Sequence, residues 1–454
     1  MTTTKAEPRP TANRYTFAGE IFKKPFEIER TEGCFLVTPS GQRILDAAGG
    51  AIVVNIGHGR REVAEAYAKG AEEAAFVVPP FATPSRTRLV DRLLDRWLPA
   101  GLTRVFFVSG GSESVDAALR LARQHHLHAG RKSRYKVIGR DLSYHGVTLA
   151  TLAVGGHSKR QAGFEPMLLD SPKIPACYCL RCPLEKTYPT CEVACADALV
   201  EVIERAGPDT VAAFIAEPIG GSTAGALVPP DEYWPRIQEI CRHYGVLLIV
   251  DEVMTGYGRT GRKFAVDHWQ ITPDILVGGK GLTGGYAPMG AVYATEEVVA
   301  PLIEAGEVLM FFTYSAHPAS CAAADKVLEI LEREALVERA AAMGEVLHDK
   351  LSVLRDHPNV AEIRGRGLLF ALELVKNRET LEPFPKAVDL TNKVVAAGLS
   401  KGVFFYPGGS PPAQDVITLG PPFTITEDEL DLLVEVLEYA ITSAVERLEM
   451  KGAG

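Results

Sequence analysis

A carboxylate and a lone lysine are spaced in this chain as if to meet. The apolar run Val246-Leu247-Leu248-Ile249-Val250 ends in Asp251-Glu252, and 29 residues later Lys280 stands within Gly278-Gly279-Lys280-Gly281-Leu282-Thr283-Gly284-Gly285. The first run reads as a buried strand that carries an acid at its C-terminal tip, and a second, 275–277, carries the amine. A lysine attacks a carbonyl only as the neutral amine, and apolar walls or nearby cations promote loss of its proton. Glycines on both sides let a flat molecule approach the backbone, because no Cβ stands in the way. An acid set against a pyridine nitrogen keeps that ring protonated, so that it takes up electrons when a substrate Cα loses its proton. Read singly, Asp251 could cap the loop 256–261 and Lys280 could be a surface lysine in a turn. Together they point to pyridoxal 5'-phosphate, with its aldehyde joined to Lys280 and its ring nitrogen at Asp251.

Such a cofactor also needs a phosphate site and walls for its ring. The strand 105–108 runs into Ser109-Gly110-Gly111-Ser112-Glu113 and then a helix. Free N–H groups at the start of that helix, its dipole and the Ser112 hydroxyl suit an anion, provided Glu113 turns away. The glycines lack the spacing of a dinucleotide-binding loop. Tyr144-His145-Gly146 follows a second strand and offers an aromatic face for stacking, with a core tyrosine beside a hydrogen-bonded histidine as the plainer alternative. Glu217-Pro218 ends a third strand and brings another carboxylate to the same rim.

These residues have to be held by a sheet. Short apolar runs at 105–108, 137–138, 211–216, 246–250, 275–277 and 291–293 read as buried strands. Amphipathic stretches between them, 112–129 with Val115, Ala118, Leu119 and Ala122 and 231–244 with Trp234, Ile237, Cys241 and Tyr244, read as helices. Strands apolar throughout need cover on both faces, so the pattern is that of a large doubly wound α/β domain with ligands beyond the carboxyl ends of its strands. After residue 320 come long helices, strands within 360–375 and 403–406, and a last helix from 427 to about 448 with Leu430, Leu433, Val434, Leu437, Ile441 and Val445 on its apolar face. The expected division is an N-terminal segment, 1–75, contributing to a smaller α/β domain, a large domain over 76–320, and the rest of the small domain over 321–454. Residues 34–37 and 43–45 flank Pro39-Ser40-Gly41 as a hairpin would.

At 454 residues, with 46% hydrophobic and 23% charged, the chain can bury a large core. A net charge of -9 without any basic block argues against nucleic acid as a partner. The polar first ten residues and the absence of a run of about 20 apolar residues point away from the membrane and toward a cytoplasmic protein. Five of the eight cysteines fall in an insertion at about 175–196. Cys179, Cys182, Cys191 and Cys195 are spaced C-x2-C-x8-C-x3-C, which suits a structural zinc ion or an iron–sulfur cluster, with incidental thiols in a surface loop as the alternative.

Taken in order, these segments resemble the class-III pyridoxal-phosphate-dependent aminotransferases, the omega or ornithine-type transaminases of the aspartate-aminotransferase fold (fold type I). The resemblance runs through Gly41-Gln42-Arg43-Ile44-Leu45-Asp46, Gly57-His58-Gly59, Phe107-Val108-Ser109-Gly110-Gly111-Ser112-Glu113, Tyr144-His145-Gly146, Glu217-Pro218, Asp251-Glu252-Val253-Met254-Thr255-Gly256, Lys280-Gly281-Leu282-Thr283-Gly284-Gly285, Thr313-Tyr314-Ser315 and Pro421-Pro422. It implies that Lys280 links covalently to the cofactor and shuttles the substrate proton, Asp251 pairs with the ring nitrogen, and Gly111 and Ser112 hold the phosphate. Tyr144 and Val253 would take the two ring faces and Glu217 would shape the site. Thr313 would reach the phosphate in a neighbouring subunit, which implies a homodimer or larger homo-oligomer. The implied reaction is ping-pong transfer of an amino group from an amine or omega-amino acid to a 2-oxo acid.

Two departures bear on the substrate. Relatives that bind carboxylates place an arginine near the last strand of the small domain or just before the Pro-Pro, whereas this chain has Gly402-Val403-Phe404-Phe405-Tyr406 and Val416-Ile417-Thr418-Leu419-Gly420. Phe311-Phe312 also makes an apolar approach to Thr313. Competing readings are an aminomutase or epimerase of the same fold and, in another class, a metal-binding module with a vestigial cofactor site.

Overall fold

The computed structural model describes residues 27–452. The first 26 residues of the expected N-terminal segment, including the polar stretch 1–10, lie outside the described residues. The centre is a seven-stranded sheet built from β1 (Leu102–Val108), β2 (Lys136–Arg140), β3 (Lys173–Ile174), β4 (Val211–Ala216), β5 (Leu247–Asp251), β6 (Ile275–Gly278) and β7 (Gly290–Thr295). Its spatial order is β1-β7-β6-β5-β4-β2-β3. Neighbours from β6 through β5, β4 and β2 to β3 run parallel, while β7 is antiparallel to both β6 and β1. Six of these strands stand where the apolar runs place them. The seventh, β3, is two residues long and begins with a lysine, so it carries no periodicity to read.

Every residue of β4, β5 and β6 is buried, because helices cover both faces. Alternate residues serve opposite cores: Ala213, Ile215, Ile249 and Val277 pack with Val115, Ala118 and Ala122 of helix α1 (Gly111–His128). Phe214, Leu248, Val250 and Leu276 pack on the other side with Trp234 and Ile237 of helix Tyr233–Tyr244. Side chains two apart in a strand share a face, which is why an unbroken apolar run can feed two cores.

Two smaller sheets flank this one. Phe35–Val37 and Arg43–Asp46 form the expected hairpin, and Val403–Phe404 from the far end of the chain adds to it in parallel with Arg43–Asp46. An antiparallel sheet of Val360–Arg366, Leu369–Leu374, Ala413–Leu419 and Tyr406–Ser410 packs on the helix Leu390–Ser400, which in turn packs on the helix Glu427–Gly452. The six apolar positions read from that helix are all buried. No helix among the described residues is long and apolar enough to cross a membrane.

Candidate active site

Because β1, β2, β4, β5 and β6 point the same way, their carboxyl ends share one edge, and the loops that leave it carry the candidate residues. Seven of the eight, Gly111, Ser112, Tyr144, Glu217, Asp251, Val253 and Lys280, line a single cavity of about 260 Å³. Thr313 does not line it and is solvent-exposed.

Lys280 opens onto the cavity from a strained turn. Its φ is +40°, a left-handed conformation uncommon for a side chain of this size, and such strain persists only where surrounding structure fixes it. Backbone bonds from Thr283 N and Gly284 N to the Lys280 carbonyl and a side-chain bond from Asn55 Nδ2 to the Gly281 carbonyl (2.9 Å) supply that fixation. Burial lowers the pKa of the Lys280 amine to about 8; the Asp251 and Glu217 carboxylates oppose the shift, and Arg259 and Arg160 add to it.

Asp251 is positioned from two sides. Its Oδ1 accepts from Val253 N (3.0 Å), and its Oδ2 accepts from His145 Nδ1–H (2.8 Å). His145 is buried, and its Nε2 has no partner. In the sequence this histidine is marked by its place beside Tyr144 on the same strand-end rim. Adjacent Glu252 faces away, with Val266 N (2.8 Å) and the Thr255 hydroxyl on its carboxylate, and burial raises its pKa to about 7. Glu217 accepts from Tyr144 N (3.2 Å) and Gly221 N (3.0 Å), and burial raises its pKa too. Glu217 therefore holds the loop that carries Tyr144.

The start of α1 fits an anion. Gly110 precedes it in an extended conformation with no side-chain cap, so the first N–H groups stay free, and Ser112 and Gly111 face the cavity. Ser112 Oγ accepts from Val147 N (3.1 Å), leaving its O–H free to donate. Glu113 does turn away: its carboxylate accepts from Ser109 N (2.8 Å). Ser114 Oγ ties the helix start to both the Gly110 and Gly278 carbonyls (each 3.1 Å), fixing the anion site relative to the lysine turn. A Cβ on Gly111 would come within 2.9 Å of Val253 Cγ1, so the close packing of the cavity floor requires glycine there. An amine of lowered pKa, a fixed carboxylate, an uncapped helix start and an aromatic ring on one cavity are the donor set that pyridoxal 5'-phosphate calls for.

The cysteine insertion differs from its expectation. Cys177, left out of the proposed ligand set, lies with Cys179, Cys182, Cys191 and Cys195 around one pocket of only about 20 Å³. Hydrogen bonds from Cys177 toward Cys179 and Cys195 hold its proton and lower the pKa of both partners, that of Cys179 to about 7. Among the described residues no group of three or more His, Cys, Asp or Glu is placed to hold a metal ion, so the zinc or iron–sulfur expectation gains no support. The loop instead docks on the small sheet: Arg181 Nε donates to Glu373 Oε1 (2.8 Å), and the Tyr178 hydroxyl donates to Glu373 Oε2.

A seven-stranded sheet of this topology with such a site at its carboxyl edge defines a pyridoxal-phosphate enzyme of fold type I. Comparison with known proteins narrows the class. The family model "Aminotransferase class-III" matches residues 18–441. An uncharacterized aminotransferase of Schizosaccharomyces pombe is 38% identical over 99% of both chains. The putrescine–pyruvate aminotransferase of Pseudomonas aeruginosa is 36% identical over 90% of this chain and 88% of its own. An (S)-enantioselective omega-transaminase from Thermomicrobium roseum superposes with a TM-score of 0.89 at 38% identity, covering 95% of each chain. The chain belongs to the class-III aminotransferase family, whose members use pyridoxal phosphate to move an amino group from an amine to a keto acid.

Proposed function

We propose that this chain exchanges an amino group between an amine or omega-amino acid and a 2-oxo acid in two successive half-reactions, with Lys280 carrying the proton in both. The observation that carries this reading is the Lys280 amine, held partly neutral at the pH of the cell, on one cavity with the Asp251–His145 pair. Pyridoxal 5'-phosphate, when bound, supplies the aldehyde that takes up nitrogen and the ring that takes up electrons. Lys280 then removes the proton from the substrate carbon as a base and returns it as an acid, a role suited to a pKa near the working pH. Asp251, oriented by His145, provides negative charge for the ring nitrogen. Gly111 N–H and the Ser112 hydroxyl take the phosphate, and Tyr144 and Val253 bound the ring on its two faces. Glu217 keeps Tyr144 in place.

We assign Thr313 to the phosphate end of a second copy's cavity. Its own copy leaves it exposed beside Met310, Phe311 and Tyr314, an apolar strip of the kind that associating chains cover. The cysteine loop enters as a brace between the large and small parts. Single-turnover assays on the holoenzyme test the reading. An amine alone should release one equivalent of carbonyl product per site and stop, and a 2-oxo acid should then restore the starting spectrum. Release of an isomerised amine without any 2-oxo acid would instead support the aminomutase alternative.

A further inference from the structure

A 2-oxo acid brings a carboxylate into a cavity that already holds the acidic side chains of Asp251 and Glu217. Some cation has to offset that repulsion, and the positions before the Pro-Pro and in the last strand carry none: Tyr406 and Thr418 line the cavity there. Among the described residues three basic side chains line it, Lys280, Arg160 and His145, and His145 is already paired with Asp251. Lys280 is committed to the proton transfers. We infer that Arg160, assisted by the Thr418 and Ser222 hydroxyls, binds the substrate carboxylate; this rests on the aminotransferase reading.

Arg160 belongs to the short turn Ser158–Gln161, which is fixed from several directions. Gln161 Nε2 donates to the Leu152 and Gly155 carbonyls (2.9 and 2.8 Å), the Ser158 and Ser410 hydroxyls meet at 3.0 Å, and Lys159 Nζ donates to the Gly409 carbonyl (2.9 Å). The turn thus bridges the rim of the large sheet and the small antiparallel sheet. From it the Arg160 guanidinium lies 4.8 Å from the centre of the Tyr144 ring, a stacking that sets its plane in advance. Its charge reaches Lys280, lowering the proton affinity of that amine.

The nearby arginines are already occupied. Arg259 spends its donors on the Leu368, Pro421 and Val54 carbonyls (3.1, 2.6 and 2.9 Å), and Arg140 donates to the Glu217 carbonyl (2.9 Å) from a buried position. No acceptor among the described residues takes a hydrogen bond from the Arg160 guanidinium, which leaves its planar fork free for a two-point grip on a carboxylate. A second observation points to a ligand at the same wall. Thr418 is 2% exposed, yet its Oγ1 has no partner, and the Ser222 hydroxyl is likewise buried and unpartnered. Two orphan hydroxyls on one wall cost stability unless something polar meets them. Arg160 and Ser222 also line the adjoining outer chamber of about 460 Å³, so the carboxylate site sits at the neck between the two spaces.

The test uses holoenzyme variants R160M, which keeps the aliphatic stem over Tyr144 but not the charge, R160K and T418V. With pyruvate as acceptor, R160M should raise KM about 10- to 100-fold, R160K less, and T418V about threefold, with kcat little changed. The Ki of propionate, an unreactive carboxylate competing with pyruvate, should rise by the same factors. The first half-reaction with butylamine, which lacks a carboxylate, should fall far less than the pyruvate reaction, and what it loses should follow the raised proton affinity of Lys280 as a shift of its rate–pH profile toward higher pH. Thermal midpoints and cofactor absorbance report whether each variant is folded and loaded. If R160M leaves the KM and Ki for these carboxylates unchanged while the parent transaminates, the Arg160 assignment is wrong and the aminotransferase reading stands. An equal loss with butylamine and pyruvate also overturns it, because it marks a structural role. A parent enzyme that transfers no amino group at all removes both.

Discussion

Lys280 is ordinary as a residue type and unusual in where its amine ends. The folded pKa of about 8 lies below the 10.5 of a free lysine, with burial the largest cause. Between these values the unfolded chain binds more protons than the folded one, so the contribution of Lys280 to stability rises with pH across that window and its cost is fully present below it. Cofactor-free enzyme should therefore be about 1–3 kcal/mol less stable than cofactor-free K280M at pH 7, with the gap closing toward pH 10. Urea unfolding at several pH values measures it, and a gap that does not change with pH would contradict the assignment. Lys280 and Asp251 were legible in the sequence because both stand at the ends of apolar runs, and a strand's direction tells where its tip points. Arg160 was not legible, since Ser158-Lys159-Arg160-Gln161 reads as a polar surface turn. Only the return of the chain after helix Leu149–Val154 carries it back over Tyr144.

Among the elements, α1 and the cysteine loop show what spacing does and does not reveal. Gly110-Gly111-Ser112 was readable as a candidate anion site because glycines at a helix start leave its first N–H groups free, and the helix does begin without a side-chain cap. For the loop, spacing along the chain gave four ligands, but it says nothing of where each thiol points. Cys177 shares the small pocket with the other four, and among the described residues no three of the thiols are placed to encircle a metal ion. What anchors the loop is a buried acid that no cysteine spacing could disclose. Glu373 (1% exposed) binds Arg364 (8% exposed) at 3.0 Å and also receives Tyr178 and Arg181. Without it Arg364 keeps Glu362 and the Ala224 and Gly225 carbonyls, but the Tyr178 hydroxyl and Arg181 lose their acceptor, so E373A should lose about 1–3 kcal/mol in chemical denaturation. A loss comparable to that of an exposed pair such as Arg61–Glu65 would show that the loop is not held this way.

At the scale of the whole molecule, the pairing of Val403–Phe404 with Arg43–Asp46 joins the two ends of the chain into one sheet. The composition change after residue 320 and the hairpin pattern of 34–45 were enough to expect a small unit that the N-terminal segment joins, but only a contact of such long range names the partner strand. Met310 (70% exposed), Tyr314 (62%) and Phe76 (48%), whose ring meets that of Tyr314 edge-on, form apolar surface near Thr313, and we expect a dimer to cover it. Sedimentation equilibrium should give twice the chain mass, and a charged substitution such as M310E should shift it toward monomer with loss of bound cofactor. A stable, active monomer would remove Thr313 from the site.

The account depends most on which amine holds the cofactor. Borohydride reduction of the holoenzyme followed by peptide mapping should place the reduced pyridoxyl group on Lys280 at one equivalent per chain, and K280A should take up none. Label on a different lysine, or full labelling of K280A, would contradict it.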